Sequence, residues 1–565
     1  VRSIGERIVI AGLDVGGTKV DAALFDHGRL ISKAKVPTDT SSLFDSVWSA
    51  LEQLLGGVEP TRVERINLST TLSTNAIVEG TTDPVCMFIE SGPGIDPALF
   101  SCGDAVVYLE GSIDHRGREI QSFDPEAVKQ GGKTFSAEGM EHAGVVTKFC
   151  TRNPEHERQI KTLLKPFFSH ITMGHTVSGN LNFPRRIATA YLNSAVYKRF
   201  STFAKALSDA CSKKGMTPAL HILKADGGTL PLHSAVNTPV FTIHSGPTAS
   251  VAGACVLSSI EGDAILLDIG GTTTDIAFLA DGDTLFEPYG ISVGSSPTLV
   301  RAVYSQSIAL GGDSAVSAEN GEIRIGPRRV GSPRALGGPL PTPTDAFLSL
   351  GLMEMGDRTK ALEAMKVLGQ QLGLSSLETA QKIARQFVKT IRGRVHELLE
   401  EINARPVYTI RELLFGKKVR PRVLSVIGGP AKAVCPLLEE IFGLNCVVPE
   451  FHEIANAVGA ALSRTTIEIT LIADTAEGYV NVPEIDYTAT VGEGYTLEEA
   501  ERDAVEIASR VAREMETGEE MPEAEITEKS SFNMVRGFSR VGRRIRVKAQ
   551  IKPGILFIPR GGHGC

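Results

Sequence analysis

One eight-residue pattern, an aspartate, a Gly-Gly-Thr turn and a second aspartate, occurs twice in this chain, 254 residues apart. The first copy is Asp14-Val15-Gly16-Gly17-Thr18-Lys19-Val20-Asp21; the second is Asp268-Ile269-Gly270-Gly271-Thr272-Thr273-Thr274-Asp275. An apolar run precedes each (residues 8–13 and 264–267) and another follows (22–25 and 276–279). Apolar run, glycine turn, apolar run predicts a β-hairpin. Adjacent glycines let the main chain approach a ligand closely, and the N–H groups of such a turn form a nest for anions. Thr18, Thr272 and Thr273 add hydroxyls, while Asp14 and Asp268 stand where a strand end could hold a hydrated cation. Phosphate with a divalent metal is the ligand such a turn predicts. A repeat of this length is a duplicated domain, not a solenoid unit.

The rest of the chain narrows the class of protein. At 565 residues, with 42% hydrophobic and 22% charged residues, it can bury more than one core, three or four units by length. A net charge of -8 argues against a nucleic-acid protein. The basic cluster Arg536, Arg540, Arg543, Arg544, Arg546 and Lys548 follows an acidic stretch at 514–528 and reads as a solvated strand edge or an intersubunit contact. Eight cysteines, among them Cys565, contain no Cys-x-x-Cys pair, so neither a disulfide framework nor a zinc site is expected. Neither a signal peptide nor an apolar run of the ~18–20 residues that span a bilayer is visible. A soluble cytoplasmic protein that binds neither membrane nor nucleic acid is the expectation.

Taken in order, the first hairpin is followed by a third strand at 30–36 and an amphipathic helix at 42–55. A strand at 66–69 then leads to Thr70-Thr71-Leu72-Ser73-Thr74-Asn75, a helix start suited equally to N-capping and to anion binding. Short strands and helices alternate to residue 180. Asn153-Pro154 opens a helix whose His156 reads as a first-turn surface residue. Arg185 and Arg186 begin a long helix, where arginine opposes the dipole; a ligand or plain solvation explains them equally. His244-Ser245-Gly246-Pro247 precedes a helix of small residues, suited to close helix packing or close approach of a ligand. Gly311-Gly312 is a further turn, and 326–343, rich in Gly, Pro and Arg, reads as a gating loop or a surface loop. A strand at 423–427 runs into Gly428-Gly429-Pro430, where main-chain N–H groups could meet a nucleotide. Residues 452–461 form another small-residue helix. Beyond 464 the pattern changes to a small α+β appendage, with a capping box at Thr496–Glu499 and a helix end near Thr517-Gly518.

Together these stretches resemble the ATP-binding folds of sugar kinases, Hsp70 and actin, and within them the A-type subunits of the hydantoinase/oxoprolinase family. The residues that carry the resemblance are Thr71, Thr74-Asn75-Ala76, Asn153 to Glu157, His244 to Pro247, Asp268 to Asp275, Gly311-Gly312 and Pro343-Thr344-Asp345-Ala346. Lys19 stands where the family has an aromatic, and Tyr304-Ser305 where it has a His-Thr pair. The resemblance implies an α/β fold: two ribonuclease-H-like, actin-like ATPase domains at 1–180 and 181–464 around a nucleotide cleft, with a small α+β domain at 465–565. It implies ATP and Mg²⁺ as cofactors, with Asp14 and Asp268 as metal ligands. Asp14, Asp268, Thr18 and Thr272 are expected to be catalytic. Gly16, Gly17, Gly270, Gly271, Thr273, Gly311, Gly312, Gly428, Gly429 and Pro430 are expected to cradle the nucleotide, and Asp275 to cap its hairpin. It implies ATP-dependent hydrolysis of a small cyclic amide, of hydantoin or 5-oxoproline type, with a B-type partner subunit; a homo-oligomer is left open. An acetone-carboxylase-type subunit, a sugar kinase and an ATP-gated activator are the alternatives.

Overall fold

The computed structural model describes residues 9–39, 42–258, 260–287, 289–404, 418–515 and 522–559. Cys565 and Thr517-Gly518 lie outside these residues; the other seven cysteines are free thiols. Both copies of the repeat are hairpins at the centre of a six-stranded sheet. In the N-terminal sheet, Val9–Val15 pairs antiparallel with Lys19–Asp26, which pairs with Arg29–Pro37. On its other side Val9–Val15 pairs parallel with Val63–Thr70, and that strand parallel with Ala219–Leu223. The central sheet repeats this order. Ala264–Ile269 pairs antiparallel with Thr274–Ala280 and parallel with Val423–Ile427, which pairs parallel with Asn445–Val447. These are the two ribonuclease-H-like domains of the expected α/β fold. The N-terminal sheet is completed by Ala219–Leu223 and Thr229–Pro231, so it draws strands from both sides of residue 180, where the division between the first two domains was expected.

Two short helices of small residues, Ser245–Ser258 and Ala455–Leu462, fill the space between the sheets. They pack Val251, Ala254, Ala457, Val458 and Ala461 against Ile10, Ala23 and Phe25 on one side and Leu266, Ala277 and Leu279 on the other. Apolar burial at ~25 cal/mol per Å² makes this shared layer an apolar contact between the two sheets. Where the helices cross, no side chain fits: a Cβ on Gly459 would lie 2.2 Å from the Ala249 carbonyl oxygen, and one on Gly253 would lie 2.0 Å from that of Ala455. The small residues thus serve close helix packing.

Between the hairpin and the second domain, an inserted four-stranded sheet of Val85–Glu90, Ala105–Tyr108, His142–Thr147 and His170–Met173 has a core of its own. Here the reading of His156 as a surface residue is corrected. It is 1% exposed, and its Nδ1 lies 2.8 Å from Glu90 at the end of an inserted strand, because the first turn of its helix faces inward. Arg185 and Arg186 bind main chain. Arg186 is buried and donates to the carbonyls of Gly174, Ser178 and Asn180; Arg185 donates to those of Gly290 and Thr298.

The α+β appendage has the five-stranded order Tyr487–Thr490, Tyr479–Val482, Ile467–Asp474, Ser539–Ile551, Glu525–Arg536, covered by helix Leu497–Met515. The capping box is present: Thr496 N–H donates to Glu499 at 2.8 Å, and Glu499 N–H to the Thr496 hydroxyl at 3.2 Å. Three members of the basic cluster are engaged within the molecule. Arg546 and Lys548 pair with Glu528 and Arg544 with Asp474. Among the described residues no helix is long and apolar enough to cross a membrane.

The helix crossing yields a test. Gly459→Val should destabilise the folded chain by about 2 kcal/mol or more, because an overpacked contact with backbone has no flexible side chain to yield. A thermal scan should show a melting temperature lower by several degrees, and an unchanged melting temperature would contradict the crossing described.

Candidate functional site

The two glycine turns close in the same way. Gly16 N–H donates to the Lys19 carbonyl at 3.1 Å, and Gly270 N–H to the Thr273 carbonyl at 2.9 Å. These positions are equivalent in the repeat, so the duplication extends to the turn hydrogen bond. Antiparallel register then sets Asp14 opposite Asp21 and Asp268 opposite Asp275. Each hairpin therefore carries two carboxylates behind its tip. Gly17, Thr18 and Thr272 remain exposed at the tips.

Asn456, from the helix between the domains, joins the hairpins. Its Nδ2 lies 3.2 Å from Asp14 Oδ2 and 3.1 Å from Asp268 Oδ2. Ser250, from the other central helix, donates its hydroxyl to Asp268 Oδ2 at 2.6 Å. Neither residue is in the repeat. The sequence signal was available: Asn456 is the one polar side chain in the run Ala455 to Ala461. Only the packing shows where it points.

The other glycine turns gather at the second hairpin. Gly312 N–H donates to the Gly270 carbonyl at 2.9 Å, and Asp313 N–H to that of Gly271 at 2.7 Å. Thr344 N–H donates to the Gly312 carbonyl at 2.8 Å, which ties in the Pro343-Thr344-Asp345-Ala346 stretch. Asp345 is fully buried and accepts the N–H groups of Arg334 and Ala335, so this end of the loop at 326–343 is pinned down. Gly428 has φ +94°, and a Cβ there would meet the Ile269 carbonyl oxygen at 2.3 Å and Asp268 Oδ1 at 2.8 Å. Glycine is required at that position because the turn after Val423–Ile427 presses directly on the second hairpin. Pro430 packs beside Gly312, and Gly429 stays exposed. Gly270, Gly271, Thr273, Gly311, Gly312, Gly428 and Pro430 thus form one cluster, with Asp14 and the first tip across Asn456.

The helix start Leu72–Val78 lies beside this cluster. Thr71 Oγ1 donates to the Val15 carbonyl at 3.2 Å, and the His244 N–H donates to Thr74 Oγ1 at 3.0 Å. His244 has φ +65°, and burial pushes its imidazole down to about 4, so it is neutral at pH 7.

Electrostatics sets this site apart. Burial, followed by the charge of Asp21, raises the Asp14 carboxyl to about 7, against the hydrogen bond from Asn456. Burial and Asp268 raise Asp275 to about 7, so Asp275 belongs to the charged site rather than merely capping its hairpin. Asp21 is raised by burial despite Lys35 at 3.1 Å. Asp14 Oδ1 is buried without a hydrogen-bond partner. A cavity of about 10 Å³, room for about one water, lies between Asp268, Asp275, Ser250 and Ser305, and the Ser305 hydroxyl is also unpartnered. No group of three or more His, Cys, Asp or Glu side chains is placed to hold a metal ion among the described residues. Repelling carboxylates with an orphaned oxygen fit a hard cation that keeps most of its water and takes its remaining ligands from phosphate. Exposed N–H and hydroxyl groups at both tips suit that phosphate.

Raised carboxyls make the stability of the site pH-dependent. The folded state holds the Asp14 proton more tightly than the unfolded state, whose carboxylate titrates near ~4. The resulting stability is complete below pH ~4 and is lost as pH rises through about 7. Asp14→Asn should therefore stabilise the metal-free chain at pH 8 by on the order of 2 kcal/mol, with no gain at pH 4. Urea denaturation at the two pH values checks this; an equal gain at both would contradict it.

A sequence model described as hydantoinase/oxoprolinase matches residues 186–469, and one for the hydantoinase/oxoprolinase N-terminal region matches residues 10–167. The chain is 27% identical to 5-oxoprolinase of Saccharomyces cerevisiae over 389 residues, 63% of this chain and 28% of that protein. It is 24% identical over 476 residues to an uncharacterised protein of Schizosaccharomyces pombe, 72% of this chain and 36% of that one. The chain thus spans about a third of the length of the curated relatives it matches. Among solved structures, nucleotide-free acetone carboxylase superposes with a TM-score of 0.72 at 15% identity, covering 98% of this chain and 88% of that one. The ATP-dependent caprolactamase of Pseudomonas jessenii superposes with a TM-score of 0.69 at 19% identity, covering 96% and 87%. These likenesses are of fold.

Proposed function

The chain belongs to the hydantoinase/oxoprolinase family, and from that premise we propose that it hydrolyses a cyclic amide at the expense of ATP, phosphorylating the amide oxygen before the ring opens. The observation that carries the reading is the Asn456 bridge, which sets the aspartates of two phosphate-type hairpins face to face. The names of two similar proteins, a 5-oxoprolinase and an ATP-dependent caprolactamase, both denote action on cyclic amides and support the substrate class.

A cyclic amide is a poor electrophile, and transfer of the γ-phosphoryl group to its oxygen creates a leaving group. Water then adds to the activated carbon, the ring nitrogen leaves as the amine, and a second water releases phosphate. Phosphoryl transfer is catalysed by positioning and charge neutralisation, with little covalent help from the protein. In this reading Gly16, Gly17 and Thr18 cradle phosphate from one domain, and Gly270, Gly271, Thr272 and Thr273 from the other. Gly311, Gly312, Gly428, Gly429 and Pro430 form the nucleotide wall. Asp14 and Asp268 would hold Mg²⁺, which would supply charge neutralisation at the phosphates. Asn456 keeps the two carboxylates at a fixed separation, and Ser250 orients Asp268. A B-type partner subunit completes hydrolysis.

ADP release measured over hydantoins, 5-oxoproline, lactams, ketones and sugars, with and without a B-type subunit, tests the proposal. Cyclic amides should stimulate release. Stimulation by a sugar alone, with a phosphosugar product, would overturn the reading, and stimulation by ketones alone would replace it with the carboxylase-type alternative. Asp268→Asn should lower stimulated turnover by about 100-fold or more without loss of fold.

A further inference from the structure

The groups assigned so far to the two hairpin tips are N–H groups, hydroxyls and carboxylates, and none is positively charged. A triphosphate brings several negative charges into a cleft that already holds Asp14, Asp21, Asp268 and Asp275. A divalent ion offsets only part of that charge. Two side chains beside the tips are placed to supply the rest.

Lys19 is the first. It follows Thr18 at the start of strand Lys19–Asp26 and is exposed, whereas Val20 beside it is buried. Its ammonium makes no hydrogen bond or ion pair among the described residues. Its charge nevertheless acts on two carboxyls, Asp21 of its own hairpin and Asp313 of the other domain. Asp313 belongs to the glycine turn that closes on the second tip. Its N–H donates to the Gly271 carbonyl at 2.7 Å, and its Oδ2 would lie 2.8 Å from a Cβ on Gly271. An ammonium on the first tip is thus within electrostatic reach of a carboxylate that lies against the second.

Arg329 is the second cation. It ends strand Glu322–Arg329, and its Nη2 lies 3.2 Å from Asp313 Oδ2, which sets the guanidinium beside that same tip. The repeat itself supplies no such group, because Thr273 holds the place equivalent to Lys19. The cation of the second tip therefore comes from a separate strand. Burial raises the Asp313 carboxyl, against the charges of Arg329 and then Lys19. One half-buried carboxylate serves two cations, so positive charge is left over between the tips.

We propose that Lys19 and Arg329 clamp the polyphosphate of the nucleotide, one from each tip, and that Asp313 is a positioning residue that yields to phosphate oxygens. The guanidinium offers a planar fork to two oxygens and the ammonium a compact point charge. This clamp rests on the ATP use proposed above and names the side chains that neutralise phosphate beside the metal ion.

Titration calorimetry of the full chain with Mg²⁺ tests it, using the non-hydrolysable ATP analogue AMPPNP, ADP and AMP as probes. Lys19→Met and Arg329→Met should each weaken AMPPNP at least about tenfold, with AMP changed less than about twofold and the melting temperature retained. Lys19→Arg should restore most of the AMPPNP affinity. Asp313→Asn should tighten AMPPNP, because the anion that competes with phosphate is gone. Undiminished AMPPNP binding in either methionine variant, or equal loss of AMPPNP and AMP, would overturn the clamp. Weaker AMPPNP binding in Asp313→Asn would overturn the role given to Asp313. A native chain that binds none of the three nucleotides would instead overturn ATP use itself.

Discussion

A single side-chain amide holds the two halves of this molecule in register at their most charged point. Asn456 donates to Asp14 and Asp268 together, one from each copy of the repeated hairpin. Without a donor between them, the buried Asp14 and the half-buried Asp268 would repel in a medium that screens them poorly. Burial first, and neighbouring carboxylates second, hold the carboxyls of Asp14 and Asp275 raised, at a cost the protein does not fully relieve. The remainder is available to a cation, and a site of this kind sacrifices some stability of the empty protein for affinity toward its ligand.

That placement depends on the small-residue layer behind it. Asn456 can reach both hairpins because its helix runs at backbone contact distance against Val9–Val15, which Gly12 permits, and against helix Ser245–Ser258, which Gly253 and Gly459 permit. Asn67 secures the far end of the Asn456 helix, donating to the carbonyls of Ala460, Ala461 and Ser463. The inserted sheet and the appendage brace each other outside this centre. Arg158 and His175 meet Asp486, and Asn481 donates to the Arg152 carbonyl. The α+β appendage is therefore tied to the inserted sheet rather than standing as a separate lobe.

Much of the fold was legible because it rests on local patterns. Alternating apolar runs and Gly-Gly-Thr turns predicted both hairpins, and the strand before Gly428-Gly429-Pro430 was marked by its apolar run and its glycines. Burial was harder to read. His156 has the sequence of an exposed first turn, yet its helix turns inward onto Glu90, an acceptor 66 residues earlier. Arg185 and Arg186 read equally as a ligand pair or a solvated pair, and both are occupied by carbonyls from other loops. Such partners are set by long-range packing, which no local window contains.

By itself the sequence determined that the chain is duplicated, that each half carries a glycine turn flanked by aspartates, and that the family is the hydantoinase/oxoprolinase one. These are properties of short segments and their order. Only the tertiary structure decided which of those aspartates meet, that Asn456 and Ser250 hold them, and that Asp275 belongs with them. It also decided that strands beyond residue 180 complete the first sheet. The reason is common to all of these: the contacts join residues tens to hundreds of positions apart, and helix packing sets their distances.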